Sequence, residues 1–164
     1  MLILSGSMAG YCKSGEYRQH IRNIEGLKQT IDMMRGEMVY SRVPLKEICA
    51  CISVRAEEPY STWLKHIENE LESKGEQRFS DIWNKACSTD LDDCRLSRKE
   101  KEELIHLGSQ IGNMDIKAQE NILKLYSIRL EESRKRYEEE IREKSRICKC
   151  LGVSLGILIT ILLI

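Results

Sequence analysis

The chain has 164 residues, with 26 basic and 26 acidic side chains, zero formal net charge and a near-neutral isoelectric point. That balance removes the bulk electrostatic case for nucleic-acid binding. Charged residues still make up 32% of the chain, which makes two uncharged stretches at its ends stand out.

The first stretch, Met1 to Cys12, carries no charge and is followed by Lys13, Glu16 and Arg18. Twelve helical residues reach only about 18 Å, too short to cross a bilayer. The stretch also lacks the basic start of a signal peptide. It reads as the end of a first transmembrane helix whose opening turns are missing or lie upstream of Met1.

From Ile21 the apolar positions run Ile21, Ile24, Leu27, Ile31, Met34, Met38. Steps of three and four put them on one stripe of an amphipathic helix. The helix should end between Tyr40 and Val43, because the residue before Pro44 is pushed out of the α region. Pro44 suits the first turn of a second helix, from Leu45 to about Val54. Pro59 restarts a third, with Tyr60, Trp63, Ile67 and Leu71 as its stripe and Lys74-Gly75 as its stop. A short helix follows around Phe79 to Cys87 with Trp83 as its anchor, and Ser88 to Arg95 reads as a polar loop. Ser97 and Glu100 make a capping box for a helix through Leu104, Leu107 and Ile111. Gly108 and Gly112 lie four apart on that helix, a spacing that lets another backbone approach, or marks a flexible turn.

Asp115 can cap the last helix, whose stripe is Gln119, Ile122, Tyr126, Leu130, Ser133, Tyr137 and Ile141. Beyond Leu130 its surface is dense in mixed charge, the pattern of a solvated helix with i,i+4 pairs. The last fourteen residues, Leu151 to Ile164, are uncharged and follow a basic collar of Lys144, Arg146 and Lys149. Counted from Ile147 the apolar segment reaches roughly 27 Å, enough to span if Lys149 snorkels and the bilayer thins locally. Basic residues flank both segments on the inner side, so the positive-inside rule puts the body in the cytoplasm and both ends outside.

The expected organisation is all-α. Residues 1–12 are the remnant of a first membrane helix, and 13–128 form a compact cytoplasmic bundle of about five to six helices. Residues 129–146 form a charged stalk, and the long last helix continues into a C-terminal transmembrane span at 147–164. Each membrane segment carries Gly-x-x-x-Gly, Gly6 with Gly10 and Gly152 with Gly156. In lipid, close approach at small residues is a main route to helix association. These four glycines are therefore candidate packing positions, with a homo-oligomer left open.

Catalytic signatures are missing. The chain has neither a phosphate-binding lysine loop nor a dinucleotide fingerprint. His20, His66 and His106 are isolated in sequence and expected on solvated surfaces. Seven cysteines include Cys49 with Cys51 and Cys148 with Cys150. On a helix such neighbours project about 200° apart and cannot share an ion. Reduced thiols, no metal, no cofactor and no enzyme are the expectation.

The run from Leu27 to Leu45 has a helix followed by Glu37, Met38 and Tyr40, then Pro44 and Leu45. With Trp83, Leu107-Gly108, Ile111-Gly112, Asp115, Gln119 and the basic, Leu-Gly, aliphatic close, it resembles the stage III sporulation protein AB family. The resemblance covers nearly everything from Arg18 onward. One departure is that family members open with a complete first membrane helix.

The resemblance implies a non-enzymatic subunit of the secretion-like channel between mother cell and forespore. It is similar to the platform protein of type II secretion and type IV pilus systems, and would sit in the mother-cell (outer forespore) membrane. Its implied partners are a cytoplasmic hexameric ATPase, stage III sporulation protein AA, and other channel membrane proteins. Glu37, Tyr40, Arg42, Asp115 and Gln119 are the candidate partner-binding residues, while Pro44, Leu45, Trp83, Gly108 and Gly112 are structural candidates. For the Glu37 corner the plainer expectation is structural, with Tyr40 packed over Pro44 and Glu37 paired with Arg42 or Arg35. The competing architecture is a tail-anchored tether or coiled-coil adaptor, which demands sustained heptads. Pro44, Pro59 and Gly75 break the chain into short helices and favour a bundle.

Overall fold

The computed structural model describes residues 2–41, 43–73, 77–112 and 115–163, with side-chain surroundings over 17–41, 43–73, 77–112 and 115–147. Among the described residues there are six helices and no strand: α1 (Leu2–Ser41), α2 (Leu45–Ser53), α3 (Tyr60–Ser73), α4 (Phe79–Asp90), α5 (Arg98–Ile111) and α6 (Ile116–Leu163). The long pair α1 and α6 packs together along its length. α2 packs on α3, α3 on α4 and α4 on α5, and the chain of short helices closes back on α1 and α6.

Helical periodicity explains the packing. Ile24, Leu27, Ile31, Met34 and Met38 are buried along one stripe of α1. Nothing breaks the backbone before that stripe, so α1 runs without interruption from the uncharged segment into the body. α2 begins one residue after Pro44, which occupies the N-cap position. α4 continues to Asp90, so the polar loop expected from Ser88 starts later. Ser88 and Thr89 turn their hydroxyls back onto the Asn84 and Lys85 carbonyls, at 2.9 Å each, and so stay compatible with the helix. The connection that follows is not wholly polar, because Leu91, Cys94 and Leu96 are buried in the core. Ser97 and Glu100 form the reciprocal capping box that opens α5. Asp115 accepts the Ala118 N–H at 2.7 Å to open α6.

The centre of the core is aromatic. The Trp63 and Trp83 rings meet edge-on with centroids 4.6 Å apart, and both are fully buried. Trp83 Nε1 donates to the Leu104 carbonyl at 2.8 Å, which satisfies the indole inside the core. This contact requires Gly108, since a Cβ there would lie 2.0 Å from Trp83 Cδ1. Gly112, one turn on, faces Phe79. Gly26 does the same service for α3: a Cβ would stand 2.8 Å from the Tyr60 ring, whose hydroxyl donates to the Asn23 carbonyl at 2.6 Å.

The packing does not stop at residue 128. Leu130 and Ser133 are buried, and Arg134 reaches across to Glu25 of α1 at 3.6 Å while pairing with Glu131 and Glu138 on its own helix. The charged stretch of α6 is thus laid along α1 at least as far as Lys144, whose Nζ donates to the Tyr17 hydroxyl at 2.7 Å. Among the described residues no helix is long and apolar enough to cross a membrane. The side chains of the expected membrane segments, Gly6, Gly10, Gly152 and Gly156 included, lie outside the described residues, apart from the exposed Ile147.

Replacing Gly108 with Ala should lower stability by about 1–3 kcal/mol through overpacking against Trp83. Gly36 of α1 has open space around it, so Gly36→Ala should stabilise by roughly 0.5–1 kcal/mol. Denaturant unfolding of the full chain followed by circular dichroism checks both. Equal effects at the two positions would contradict this packing.

Candidate functional site

Two features carry more than packing. The first is the end of the molecule where α1 stops and α6 starts. Met38 points into the core, so Tyr40, two residues on and about 200° around the helix, must point out. It is 88% exposed, with Val39 exposed beside it and Val54 on the α2–α3 corner 81% exposed. Tyr40 therefore does not pack over Pro44. Glu37 does not pair with Arg35, and Arg42 lies outside the described residues. The Glu37 carboxylate takes Arg55 Nη1 at 3.1 Å and the Ser41 hydroxyl at 2.9 Å.

Beside this corner a cleft of about 330 Å³ is lined by Met38, Val43, Pro44, Ile48, Ile116 and Gln119, with Leu45 at its edge. The fold so brings candidates from two distant stretches of sequence to one end. Asp115 and Gln119 are partly occupied there: Asp115 caps α6, and the Gln119 amide donates to the Ile111 carbonyl. Trp83, Gly108 and Gly112 belong to the α4–α5 packing instead.

The second feature is a buried polar clasp that the sequence did not reveal. Glu100 is 4% exposed. One carboxylate oxygen accepts the Ser97 N–H at 2.8 Å, and the other accepts the Ser133 hydroxyl of α6 at 2.6 Å. His20 of α1 places Nε2 3.4 Å from Oε2, an ion-pair contact without hydrogen-bond alignment. Its Nδ1 donates to the Arg95 carbonyl, and its ring meets Tyr137 edge-on at 4.2 Å. Both ring nitrogens face acceptors, which favours the imidazolium.

His20, with its side chain 13% exposed, is therefore not a solvated surface histidine. It stands one turn before Ile24 on the same stripe, and that phase was the available sign of burial. His66 is likewise paired, at 2.7 Å from Asp90 and 3.7 Å from Glu70, while His106 is exposed.

The electrostatics follow the geometry. Burial raises the Glu100 carboxyl, but the His20 ring, the Ser133 hydroxyl and the Ser97 N–H outweigh it and hold the group at about 2. His20 is raised by Glu100, against burial and with help from the Arg95 carbonyl. The arrangement ties α1, α5 and α6 together, with both carboxylate oxygens occupied by protein groups.

Among the described residues no cluster of three or more His, Cys, Asp or Glu could hold a metal ion. Cys49 is buried and Cys51 exposed, on opposite faces of α2. Burial pushes the Cys49 and Cys87 thiols up to about 12, and also raises Cys94. The Cys148–Cys150 pair lies outside the described side chains.

Fold and site together define an all-helical protein organised around a long antiparallel helix pair, with a structural clasp inside and an exposed aromatic corner at one end. The family model of stage III sporulation protein AB matches residues 1–164, and the chain belongs to that family. Stage III sporulation protein AB of Bacillus subtilis (strain 168) is 24% identical over 162 residues, which cover 99% of this chain and 94% of that protein. A solved structure of stage III sporulation protein AB shares the fold, with a TM-score of 0.68 and 24% identity over 76% of this chain and 97% of that one.

The clasp makes a pH-dependent prediction. Glu100 is lowered from 4.5, so its contribution is present above that value and lost as pH falls toward 2. His20 is raised above 6.5, so its contribution is complete below 6.5 and lost as pH rises through its folded value. The stability difference between the natural chain and Glu100→Gln should therefore be largest between pH 4.5 and 6.5 and shrink on both sides. Urea midpoints measured across pH test this, and a pH-independent difference would contradict it.

Proposed function

We propose that this chain is a non-enzymatic membrane platform subunit of a sporulation secretion-like channel, coupling a cytoplasmic ATPase to the membrane assembly during endospore formation. The observation that carries the reading is the register of α1 against α6. With Lys144 on Tyr17, the uncharged segment 1–12 and the segment 147–164, whose one charged side chain is Lys149, leave the body at the same end. From Tyr17 to Tyr40 is about 35 Å of helix, so the exposed corner stands far from that end.

In this reading both segments enter one membrane, that of the mother cell around the forespore, with the body in the cytoplasm as the flanking basic residues dictate. The small residues Gly6, Gly10, Gly152 and Gly156 pack the spans on each other, on other channel proteins or on a second copy. The partner at the far corner is the hexameric ATPase stage III sporulation protein AA, met by Tyr40 and Val39 with Glu37, Asp115 and Gln119 nearby. Val54 extends the apolar surface. An exposed tyrosine beside aliphatic neighbours and a charged rim is the composition of an interaction hot spot. A tether reading is less well supported, because the seam of α6 is already covered by α1 of the same chain and the short helices fold back into one body.

The test is binding of that ATPase to the full chain in nanodiscs, with and without ATP. Tyr40→Ala should weaken binding by about 2 kcal/mol or more, roughly thirtyfold, while leaving the unfolding midpoint unchanged. Absence of binding by the natural chain would contradict the coupling role.

A further inference from the structure

The base of the helix pair carries a set of exposed arginines with no partner among the described residues. Over residues 17–22 and the stretch 137–147 that faces and extends past them there are five cations, Arg18, Arg22, Arg142, Lys144 and Arg146, and four carboxylates, Glu138, Glu139, Glu140 and Glu143. Glu138 and Glu140 are taken up by Arg134 and Lys144, so they do not pair with the arginines of this level. The four arginines are exposed, and none has an ion pair or hydrogen bond within the described residues.

They come from both long helices. Arg18 follows Tyr17, and Arg142 and Arg146 flank Lys144 by half a turn on either side. The Lys144 ammonium lies 4.6 Å above the Tyr17 ring centroid as well as bonding its hydroxyl and pairing with Glu140. A tyrosine with a polar tip, a snorkelling lysine and guanidinium groups at one level is the composition of a headgroup layer.

We propose that this collar is a binding site for anionic phospholipid headgroups, with Arg18, Arg22, Arg142 and Arg146 taking lipid phosphates from around the helix pair. The inference rests on the membrane reading above and names the lipid class that reading leaves open. Guanidinium suits the role because its fork meets two phosphate oxygens at once. Left without a carboxylate partner, the four groups have that capacity free. Near an anionic surface each cation contributes about a fivefold preference, and the attraction is screened by salt.

The test reconstitutes the full chain into vesicles of mixed phosphatidylcholine and phosphatidylglycerol. Electron spin resonance of spin-labelled forms of each lipid then measures their association with the protein. The proposal predicts preferential restriction of phosphatidylglycerol, weakened by added salt and lost when Arg18, Arg22, Arg142 and Arg146 are all changed to Gln. The matching Arg→Lys variant should retain most of the preference, and circular dichroism should show both variants fully helical. Equal association of the two lipids, or a preference that survives Arg→Gln, would overturn the lipid site. Release of the natural chain from the vesicles by alkaline carbonate would overturn the membrane reading itself, and the site with it.

Discussion

A carboxylate buried where three helices meet must be answered by donors from each of them, and Glu100 imposes that condition on the whole chain. Its own capping box supplies the Ser97 N–H, α6 supplies Ser133 and α1 supplies His20. A buried charge left unpaired costs several kcal/mol, so the three helices have one low-energy arrangement at this point. The register of α1 on α6 is fixed there, and with it the meeting of Tyr137 with His20 and of Lys144 with Tyr17. The aromatic core further along the same stripe of α5 completes the constraint. Trp83 can lie on α5 only because Gly108 leaves room, and its indole is held by the Leu104 carbonyl.

Register then becomes polarity of the molecule. One end gathers the two largely apolar chain segments and exposed arginines with no partner among the described residues; the other gathers Tyr40, Val39, Val54 and the start of α6. In the proposed role the first end faces lipid and the other faces a protein partner. In that role the helix pair between them would carry a force or displacement along its length, from the ATPase to the membrane assembly. The polar clasp sits on that line. It resists sliding of α1 past α6 better than aliphatic contacts alone, because the Ser133 bond to Glu100 and the His20 bond to the Arg95 carbonyl are directional and the His20–Glu100 ion pair joins them.

Much of this was legible in the residues. Stripes of three and four gave the helices and most of their buried faces. Pro44 and the Ser97–Glu100 box gave starts, whereas Gly108 with Gly112 left close approach and a flexible turn equally open, and only the structure lays Trp83 and Phe79 of α4 on them. The clasp was not legible as a unit, since sequence proximity cannot pair His20 with Glu100 or Ser133, although Ser133 falls on the α6 stripe and His20 in phase with Ile24. The end of α4 was misjudged because Ser88 and Thr89 are equally at home in a loop and, by bonding back to Asn84 and Lys85, in a helix. The corner at Tyr40 was weighed towards local packing because Pro44 is near in sequence. The phase of Met38 turns the tyrosine away from it.

The account stands or falls on the body projecting from a single membrane face into the cytoplasm. Cys51 is exposed on α2, on the body and away from the uncharged segments. The decisive measurement is labelling with a membrane-impermeant maleimide in sealed vesicles of either orientation, counting only the signal that disappears in Cys51→Ser. The account predicts labelling in inverted vesicles, with the cytoplasmic face outward, and none in right-side-out vesicles. Labelling from the opposite face, or protein that does not sediment with the vesicles, would contradict it.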